Sequence, residues 1–516
     1  MAAGWYVLVL AALFACNRVQ FLLMQRTGQE IVCQMRTELF AHVERLTMRF
    51  FDITPVGKIV TRLTNDVEAI SNLYANILVN LFKNSVKVLG YAVVMWMLNR
   101  RIALYCFALV PIAVTLIVLF RTFARRTYQI VKTRVTNLNT FLSENISGMK
   151  LIQIFAREKE KLAEFRAKSK SLYDAGWREM MVFAVFRPLI YFCSVLSLAL
   201  VVAGGSVSVL ENVITIGTLY IFAQYIQNFY EPIQNLAEQF STLQSAMASA
   251  EKIFTLLDVP PAIADPEQPT EPNPLKGRIE FDHVWFAYDG EHDVLKDVSF
   301  VIEPGQKVAF VGATGAGKTS ILSLIGRYYE IQKGAIRIDG IDIRDMSRET
   351  LRRAIGQVQQ DVFIFTGDIA SNIRLRSEEI PDETIRQAAA YTNAERFIHR
   401  LPQGYHEPVT ERGSTLSAGE RQLLSFARTL AFYPSILILD EATANIDTET
   451  EQWIQEALNH LMEGRTTIMV AHRLSTVQHA DKIIVMHHGR IRESGTHQEL
   501  LELGGIYHKL YQLQLS

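Results

Sequence analysis

Two patterns of apolar and polar positions divide this chain of 516 residues into two halves. In the first half, several mostly apolar stretches reach the ~20 helical residues that cross a bilayer core. Between them, apolar residues recur at three- and four-residue spacing, which predicts helices that continue well beyond the membrane. The stretches predicted to be spans cover residues 3 to 24, 77 to 98, 102 to 120, 182 to 206 and 213 to 235.

Two of these spans have an alternative interpretation. Polar residues interrupt the first and the last stretch, so either could instead be a buried core helix. Residues 1 to 16, which end in Leu13-Phe-Ala-Cys16, also resemble a lipoprotein export signal. No basic residue precedes the apolar run, and the apolar pattern resumes after Arg18, which favours a membrane span.

Basic residues in the connections predict the orientation of the spans. Residues 25 to 75 contain six Lys and Arg residues and residues 122 to 181 contain twelve, whereas residues 99 to 101 contain two and residues 207 to 212 contain none. Cytoplasmic connections collect positive charge. The two long connections are therefore predicted to be cytoplasmic, in a multi-pass protein of the cell membrane.

The pattern changes after a proline-rich segment. Six of the chain's 15 prolines lie between residues 259 and 277, and proline cannot continue a helix. Beyond this extended connector, short β-branched strands alternate with helical segments, which is typical of an α/β sheet. We therefore predict a transmembrane domain over 1–258, a linker over 259–277 and an α/β domain over 278–516.

Charge and cysteine usage exclude two classes of site. The net charge is +9 over residues 1 to 258 and −10 over residues 259 to 516. A nucleic-acid-binding domain needs a basic surface, so no nucleic-acid partner is expected for the acidic half. Cys16, Cys33, Cys106 and Cys193 have no paired spacing, which supports neither a disulfide framework nor a zinc site.

The strongest motif in the second half follows an apolar strand, Val308 to Val311. Gly312-Ala-Thr-Gly315-Ala-Gly317-Lys318-Thr319 matches the phosphate-binding loop G-x-x-x-x-G-K-[ST], and an apolar helix follows it. Such a loop holds phosphate oxygens with backbone N–H groups, while Lys318 reaches the β and γ phosphates and the Thr319 hydroxyl ligates Mg²⁺. The predicted nucleotide-binding residues of this loop are Gly312, Thr314, Gly315, Ala316, Gly317, Lys318, Thr319 and Ser320.

A second apolar strand ends in two carboxylates, Asp440 and Glu441. A buried parallel strand beside the phosphate loop would deliver Asp440 to the magnesium ion and would let Glu441 orient an attacking water. The alternative is that two acidic residues at a strand end only improve solubility. With the loop upstream, the catalytic interpretation is favoured.

With these residues, the second half resembles the ATPase of ATP-binding cassette (ABC) transporters. Leu416-Ser-Ala-Gly-Glu420 resembles the family's LSGGQ signature, whose residues Ser417, Gly419 and Glu420 would face the nucleotide of a partner. The resemblance implies that Tyr288 stacks on adenine, that Gln360 links the magnesium site to the membrane domain, that Asp447 lies in the loop crossing to the partner, and that His472 contacts the γ-phosphate. It thus implies ATP and Mg²⁺ as cofactors. The implied catalytic residues are Glu441, His472, Lys318 and Gln360, and the implied metal ligands are Thr319, Gln360 and Asp440.

The first half is similar to the membrane domain of the exporter branch of that family, in segments 49–70, 143–158 and 235–258. The resemblance implies an α-helical transmembrane bundle with domain-swapped long helices, fused to an α/β P-loop ATPase domain with a helical subdomain. It also implies that the first two segments contain short coupling helices. Because the family has six spans and five are predicted here, we expect the chain to be shortened at its start.

In this family each ATP lies between the loop of one cassette and the signature of another, which implies a second half-transporter chain as partner. Here the signature has Ala418 in place of glycine and Glu420 in place of glutamine. A carboxylate near the phosphates adds repulsion, and a β-carbon restricts close approach. We therefore favour a heterodimer, with a homodimer as the alternative.

Three functions fit these features. The first is ATP-driven export of hydrophobic or amphipathic small molecules such as drugs, the second is a flippase for lipids or lipid-linked molecules, and the third is an ATP-gated channel or regulator. Aromatic residues of the spans could line an apolar cavity, although packing and interfacial anchoring are the more frequent roles of such residues. The aromatic residues concerned are Phe186, Tyr191, Phe192, Phe222, Tyr225, Phe229 and Tyr230.

Overall fold

A computed structural model describes residues 2–211, 213–261, 263–272, 274–440, 448–470 and 477–515 of the chain. The chain forms two compact units. The first comprises Met1–Glu44 and Pro55–Pro260, and the second comprises Arg45–Thr54 and Pro261–Ser516. A ten-residue piece of the predicted transmembrane domain therefore packs with the α/β unit.

Long helices make up the first unit. Two π-helical turns, Arg62–Asp66 and Leu73–Ile77, interrupt the helical segment that precedes Leu98. The helices before the linker are α1 (Ala2–Glu44), α2 (Met48–Ile53), α3 (Val56–Thr61), α4 (Val67–Asn72), α5 (Leu78–Leu98), α6 (Arg100–Phe107), α7 (Val110–Ser147), α8 (Met149–Ile154), α9 (Glu158–Leu210) and α10 (Ile216–Leu257). Of these, α2 belongs to the second unit.

Within the described residues, four helical segments have the length and apolarity needed to cross a membrane. They are Ala3–Glu44, Val56–Leu98, Arg100–Ser147 and Glu158–Leu210. Each contains one of the first four predicted spans. Residues 216–235 of the fifth predicted span lie in α10, which is not one of these segments, because Gln224, Gln227 and Glu231 make this helix more polar.

The apolar core of the first unit forms where α5, α6, α7, α9 and α10 pack together. Phe120 of α7 stacks on Phe186 of α9 with ring centroids 3.8 Å apart. The hydroxyls of Ser197 and Tyr230 hydrogen bond to each other at 2.7 Å between α9 and α10. This bond satisfies two buried polar groups that would otherwise be costly in an apolar core.

A carboxylate joins α10 to the first π-helical turn. Asp66 is buried, and its Oδ1 accepts a hydrogen bond from Ser249 Oγ at 2.7 Å. Lys252 Nζ lies 3.7 Å from the same oxygen. Since a buried charge needs a partner, this cluster joins segments that are 183 residues apart in sequence.

The second unit contains a four-stranded sheet of order β2-β1-β4-β5, a six-stranded sheet of order β12-β11-β3-β10-β9-β6, and a two-stranded sheet of β7 and β8. The strands are β1 (Ile279–Phe286), β2 (Leu295–Ile302), β3 (Lys307–Val311), β4 (Lys333–Ile338), β5 (Ile341–Asp342), β6 (Ile355–Val358), β7 (Gly367–Asp368), β8 (Pro408–Val409), β9 (Ile436–Asp440), β10 (Thr466–Val470), β11 (Lys482–His487) and β12 (Arg490–Gly495).

Helices pack on both faces of the six-stranded sheet. In β9, Ile436 and Ile438 contribute to the apolar cluster around α11, whereas Leu437 and Leu439 contribute to the cluster around α16 and α17. This alternation explains why the strand is uniformly apolar in sequence. The helices are α11 (Lys318–Ile325), α12 (Arg348–Arg353), α13 (Ile369–Arg374), α14 (Asp382–Tyr391), α15 (Ala394–Ile398), α16 (Ala418–Ala431), α17 (Thr448–Met462), α18 (His497–Glu502) and α19 (Ile506–Leu515).

Candidate nucleotide-binding site

The site forms at the carboxyl ends of parallel strands. β3, β10, β9 and β6 pair in parallel, so their carboxyl ends meet at one edge of the six-stranded sheet. The phosphate loop follows β3, Asp440 ends β9, and Gln360 lies two residues beyond β6. Val470, the last residue of β10, pairs with both Asp440 and Phe310. Motifs far apart in sequence therefore share one edge.

Three residues predicted for this site are not among the residues that the structure describes. Glu441, Asp447 and His472 lie outside the described residues. Among the described residues, β9 ends at Asp440 and β10 ends at Val470.

Glycine is required in the phosphate loop for steric reasons. Gly312, Gly315 and Gly317 all have positive φ. A β-carbon at Gly312 would lie 2.2 Å from the carbonyl oxygen of Met486, and one at Gly317 would lie 2.6 Å from Leu295 Cδ2. The loop thus lies against the neighbouring strand β11, which only residues without a side chain allow.

The ammonium group of Lys318 lies against the backbone of this loop. The side chain is nearly buried, and its Nζ donates to the carbonyl oxygens of Gly312 at 2.6 Å and Ala313 at 3.1 Å. The α-helix that Lys318 begins, α11, adds the positive end of its dipole. A cation and a helix N-terminus in one glycine-rich loop make a site for phosphate.

The other predicted loop residues differ in exposure. Thr314, Gly315 and Thr319 are exposed, while Ala316 and Ser320 are buried. The Thr319 hydroxyl is therefore accessible in the first turn of α11. Ser320 hydrogen bonds instead with the hydroxyl of Tyr288 at 3.0 Å.

Tyr288 belongs to a cluster of three aromatic rings. Tyr288 is 37% exposed, and its ring lies edge-to-face against Phe286 at 4.7 Å and Tyr329 at 5.0 Å. Such pairs fix ring orientation. The exposed part of a ring held in this way is a suitable surface for stacking a nucleotide base. The sequence analysis did not single out Tyr329, because no motif marks it.

The donors at the sheet edge fit magnesium. Thr319, Gln360 and Asp440 offer a hydroxyl, an amide and a carboxylate oxygen, and Mg²⁺ prefers oxygen ligands shared with phosphates. Across the described ranges, no cluster of three or more His, Cys, Asp or Glu side chains could hold a metal ion by itself. The residues therefore suit an ion that is held jointly with a triphosphate.

The signature segment begins α16. Ser417 is the N-cap residue, and its Oγ accepts a hydrogen bond from the Glu420 N–H at 3.2 Å. In return, Glu420 Oε2 accepts the Ser417 N–H at 2.7 Å. This reciprocal capping box satisfies two free donors of the first turn. Ala418 is exposed and Gly419 is buried between them.

Comparisons with known proteins agree with this geometry. The family model described as "ABC transporter transmembrane region" matches residues 1–233, and the model described as "ABC transporter" matches residues 295–444. The chain resembles along 97% of its length the solved "Structure of a bacterial Atm1-family ABC exporter with ATP bound", with a TM-score of 0.81 and 27% identity, covering 88% of that chain.

Two curated relatives are similar over nearly the whole chain. The Bacillus subtilis protein named "Probable multidrug resistance ABC transporter ATP-binding/permease protein YheH" is 41% identical over 96% of this chain and 74% of its own length. The "ATP-dependent lipid A-core flippase" of Syntrophus aciditrophicus is 35% identical over 97% of this chain and 83% of its own length.

These matches confirm the predicted fold class, a helical transmembrane region fused to an α/β ATPase, and they confirm the ATPase activity and the multi-pass membrane location with a cytoplasmic nucleotide-binding domain. The domain bounds and the individual site residues stay predictions. The chain belongs to the ABC exporter family, in which transmembrane and ATP-binding regions are fused and ATP drives transport.

Proposed function

We propose that this chain exports hydrophobic or amphipathic small molecules of the multidrug type. The observation that carries this proposal is the pairing of the charged side chain in the predicted span 182–206. Its only charged residue, Arg187, lies 3.4 Å from Glu238 of α10, so the charge is partnered within the chain. A guanidinium that is already paired with a carboxylate of the same chain is less suited to bind an ionic substrate. This pairing therefore favours an apolar substrate. The name of the B. subtilis relative supports the same substrate class.

Two exposed aromatic residues are the best candidates for contact with such cargo. Phe186, Phe222, Phe229 and Tyr230 are buried within this chain, which fits a packing role. Tyr225 is half-buried and packs on Tyr91. Tyr191 and Phe192 are largely exposed on α9, so we propose these two rather than the whole set.

The direct test is ATP-driven uptake of a fluorescent hydrophobic dye into inverted vesicles that contain the protein and its partner. Uptake that requires ATP supports the proposal. A Tyr191→Ala, Phe192→Ala double variant should lower dye uptake while ATP binding is unchanged. Vesicles that turn over ATP but take up no dye would contradict the proposal.

A lipid flippase is the second candidate, because a relative at 35% identity carries that name. Translocation of a fluorescent phospholipid in the same vesicles, with the dye as competitor, separates the two. Single-channel current without net uptake would instead indicate the ATP-gated channel.

At the nucleotide site, we propose that Lys318 and the loop bind the triphosphate of ATP, that Thr319, Gln360 and Asp440 hold Mg²⁺, and that Glu441 positions the attacking water with His472 at the γ-phosphate. A Glu441→Gln variant should then retain ATP binding while turnover falls about 100-fold or more, since positioned acid–base groups contribute on that order. Fluorescent-nucleotide binding and phosphate release measure the two properties. Unchanged turnover would refute the role of Glu441.

We also propose that the partner is a different half-transporter chain. The capping box supports this, because it holds the Glu420 carboxylate at the N-terminus of α16, where a partner's phosphate would approach. Repulsion would weaken the site that this signature completes, while Asp440 and Glu441 of this chain serve the other site.

Glu420→Gln is the matched test, because glutamine preserves an acceptor for the Ser417 N–H and removes only the charge. In a dimer of this chain with itself, the variant should hydrolyse ATP faster than the unchanged chain. A homodimer of the unchanged chain with full drug-stimulated turnover would contradict the heterodimer.

A further inference from the structure

A hydrogen bond connects the segment Arg45–Thr54 to the aromatic cluster beside the phosphate loop. The hydroxyl of Tyr329 donates to Asp52 Oδ2 at 2.6 Å, across 277 residues of sequence. Asp52 lies in α2, which packs within the second unit. Along the chain, this segment is continuous with α1, which ends at Glu44, and with α3, which begins at Val56. A displacement of Asp52 therefore acts on two helices of the transmembrane region through the backbone.

The same tyrosine contacts the proposed adenine platform with its ring. Tyr329 and Tyr288 lie edge-to-face, with centroids 5.0 Å apart and an interplanar angle of 88°. Phe286 packs on both rings. The Tyr288 hydroxyl in turn bonds to Ser320 of α11. An unbroken set of contacts thus runs from Asp52 through Tyr329 and Tyr288 to the helix that carries the phosphate loop.

The two ends of Tyr329 have separable tasks. Burial and the neighbouring Asp52 carboxylate raise the pKa of the Tyr329 hydroxyl well above its usual range, so the hydroxyl stays a donor at physiological pH. The hydroxyl holds the segment, while the ring supports Tyr288. Removing one without the other is possible, because phenylalanine retains the ring.

We infer that Tyr329 is a positioning residue that couples occupancy of the adenine platform to the position of the segment Arg45–Thr54. The inference rests on the proposed role of Tyr288 as the base-stacking residue. A base that stacks on Tyr288 fixes its ring, the edge-to-face contact fixes Tyr329, and the hydroxyl passes this constraint to Asp52. A ligand shifts a conformational equilibrium only through contacts that differ between the two conformations. The contacts from Tyr288 through Tyr329 to Asp52 would differ between the nucleotide-free and the nucleotide-bound form.

The test uses the full-length dimer in lipid nanodiscs, with a nitroxide label at residue 53. Ile53 is 73% exposed, so Ile53→Cys gives a labelling site once the exposed Cys16 and Cys33 are replaced by serine. Spectra with and without ATP report the ordering of the segment. Steady-state assays give KM and kcat for ATP on the same samples.

In the parent, ATP should change the mobility of the label. Tyr329→Phe should abolish that change and lower kcat. KM for ATP should stay within about twofold, because phenylalanine retains the ring that supports Tyr288 and so leaves ATP binding unaffected. Tyr329→Leu should raise KM by about three- to tenfold as well, the fold-change expected from loss of an aromatic pair. Asp52→Asn should resemble Tyr329→Phe, and the double variant should be no worse than either.

Tyr433→Phe is the matched control, because this tyrosine is exposed and its substitution removes a hydroxyl of the same kind. Its label response should equal that of the parent. A normal label response in Tyr329→Phe would overturn the inference while leaving the proposed function intact. If Tyr288→Ala leaves KM for ATP unchanged, the adenine role itself fails, and the inference falls with it.

Discussion

The phosphate loop can form only because residue 312 is glycine and has no β-carbon. Gly312 combines a positive φ with a backbone oxygen of Met486 only 2.2 Å from where a β-carbon would stand. A backbone atom within a sheet cannot move aside as the end of a flexible side chain can. The loop is therefore defined by its contact with β11 as much as by its own sequence.

Gly312→Ala should abolish ATP binding, because the loop must shift to relieve this contact. Gly290 is the control: it also has positive φ, but a β-carbon there would meet no atom within 4 Å. Gly290→Ala should cost about 1 kcal/mol in the free energy of unfolding, from backbone strain alone. Fluorescent-nucleotide titration and chemical denaturation measure the two effects. Normal binding by Gly312→Ala would show that the loop adapts.

Among the helices, α16 and α18 begin in the same way. Each has a capping box, Ser417 with Glu420 in α16 and Thr496 with Glu499 in α18. In α16 the capping residues lie in the segment that resembles the signature of the ABC family. One side-chain pair therefore stabilises the helix and also determines which charge the helix N-terminus presents.

Ser417→Ala and Thr496→Ala separate these two roles. Each should lower the free energy of unfolding by about 1 kcal/mol, the usual value of an N-cap side chain. Only Ser417→Ala should also reduce ATP turnover in a dimer of this chain with itself, where this signature completes both sites, since Thr496 caps a helix outside the proposed site. Denaturation curves and phosphate release provide the comparison. Equal loss of turnover in both would indicate that stability alone controls activity.

For the molecule as a whole, we expect dimerisation to govern activity. ABC exporters act as dimers, and in the proposed arrangement the signature of one chain completes the nucleotide site of another. The chain brings Lys318, Asp440 and Gln360 to one sheet edge, but Ser417 begins a helix that packs on α13, α14 and α17. A single chain is thus expected to bind ATP yet turn it over slowly.

The specific ATPase activity of the full chain in detergent should therefore fall as the protein is diluted through the dimer dissociation constant, while ATP binding per chain stays constant. Mass action requires this whenever the active species is a dimer. Activity that is strictly proportional to protein concentration, at dilutions where light scattering finds only monomer, would disprove the shared site.

The sequence alone predicted the residues of the nucleotide site. The loop from Gly312 to Thr319 and the acidic strand end at Asp440 are local patterns, and each requires only the order of residues along a few positions. Apolar stretches of bilayer length likewise lie in the four described helical segments that are long and apolar enough to cross a membrane. Such predictions can be made from sequence because hydrophobic period and loop chemistry are properties of neighbouring residues.

Tertiary structure decided which distant residues meet. Strand order brought Gln360 and Asp440 to the sheet edge that also carries the phosphate loop, packing buried Phe186 and Phe222 within the chain, and folding brought Asp52 to Tyr329. No local pattern encodes such pairs, because a contact across 277 residues depends on how every intervening element packs. The sequence determined the chemistry of each motif, and the fold determined which motifs act together.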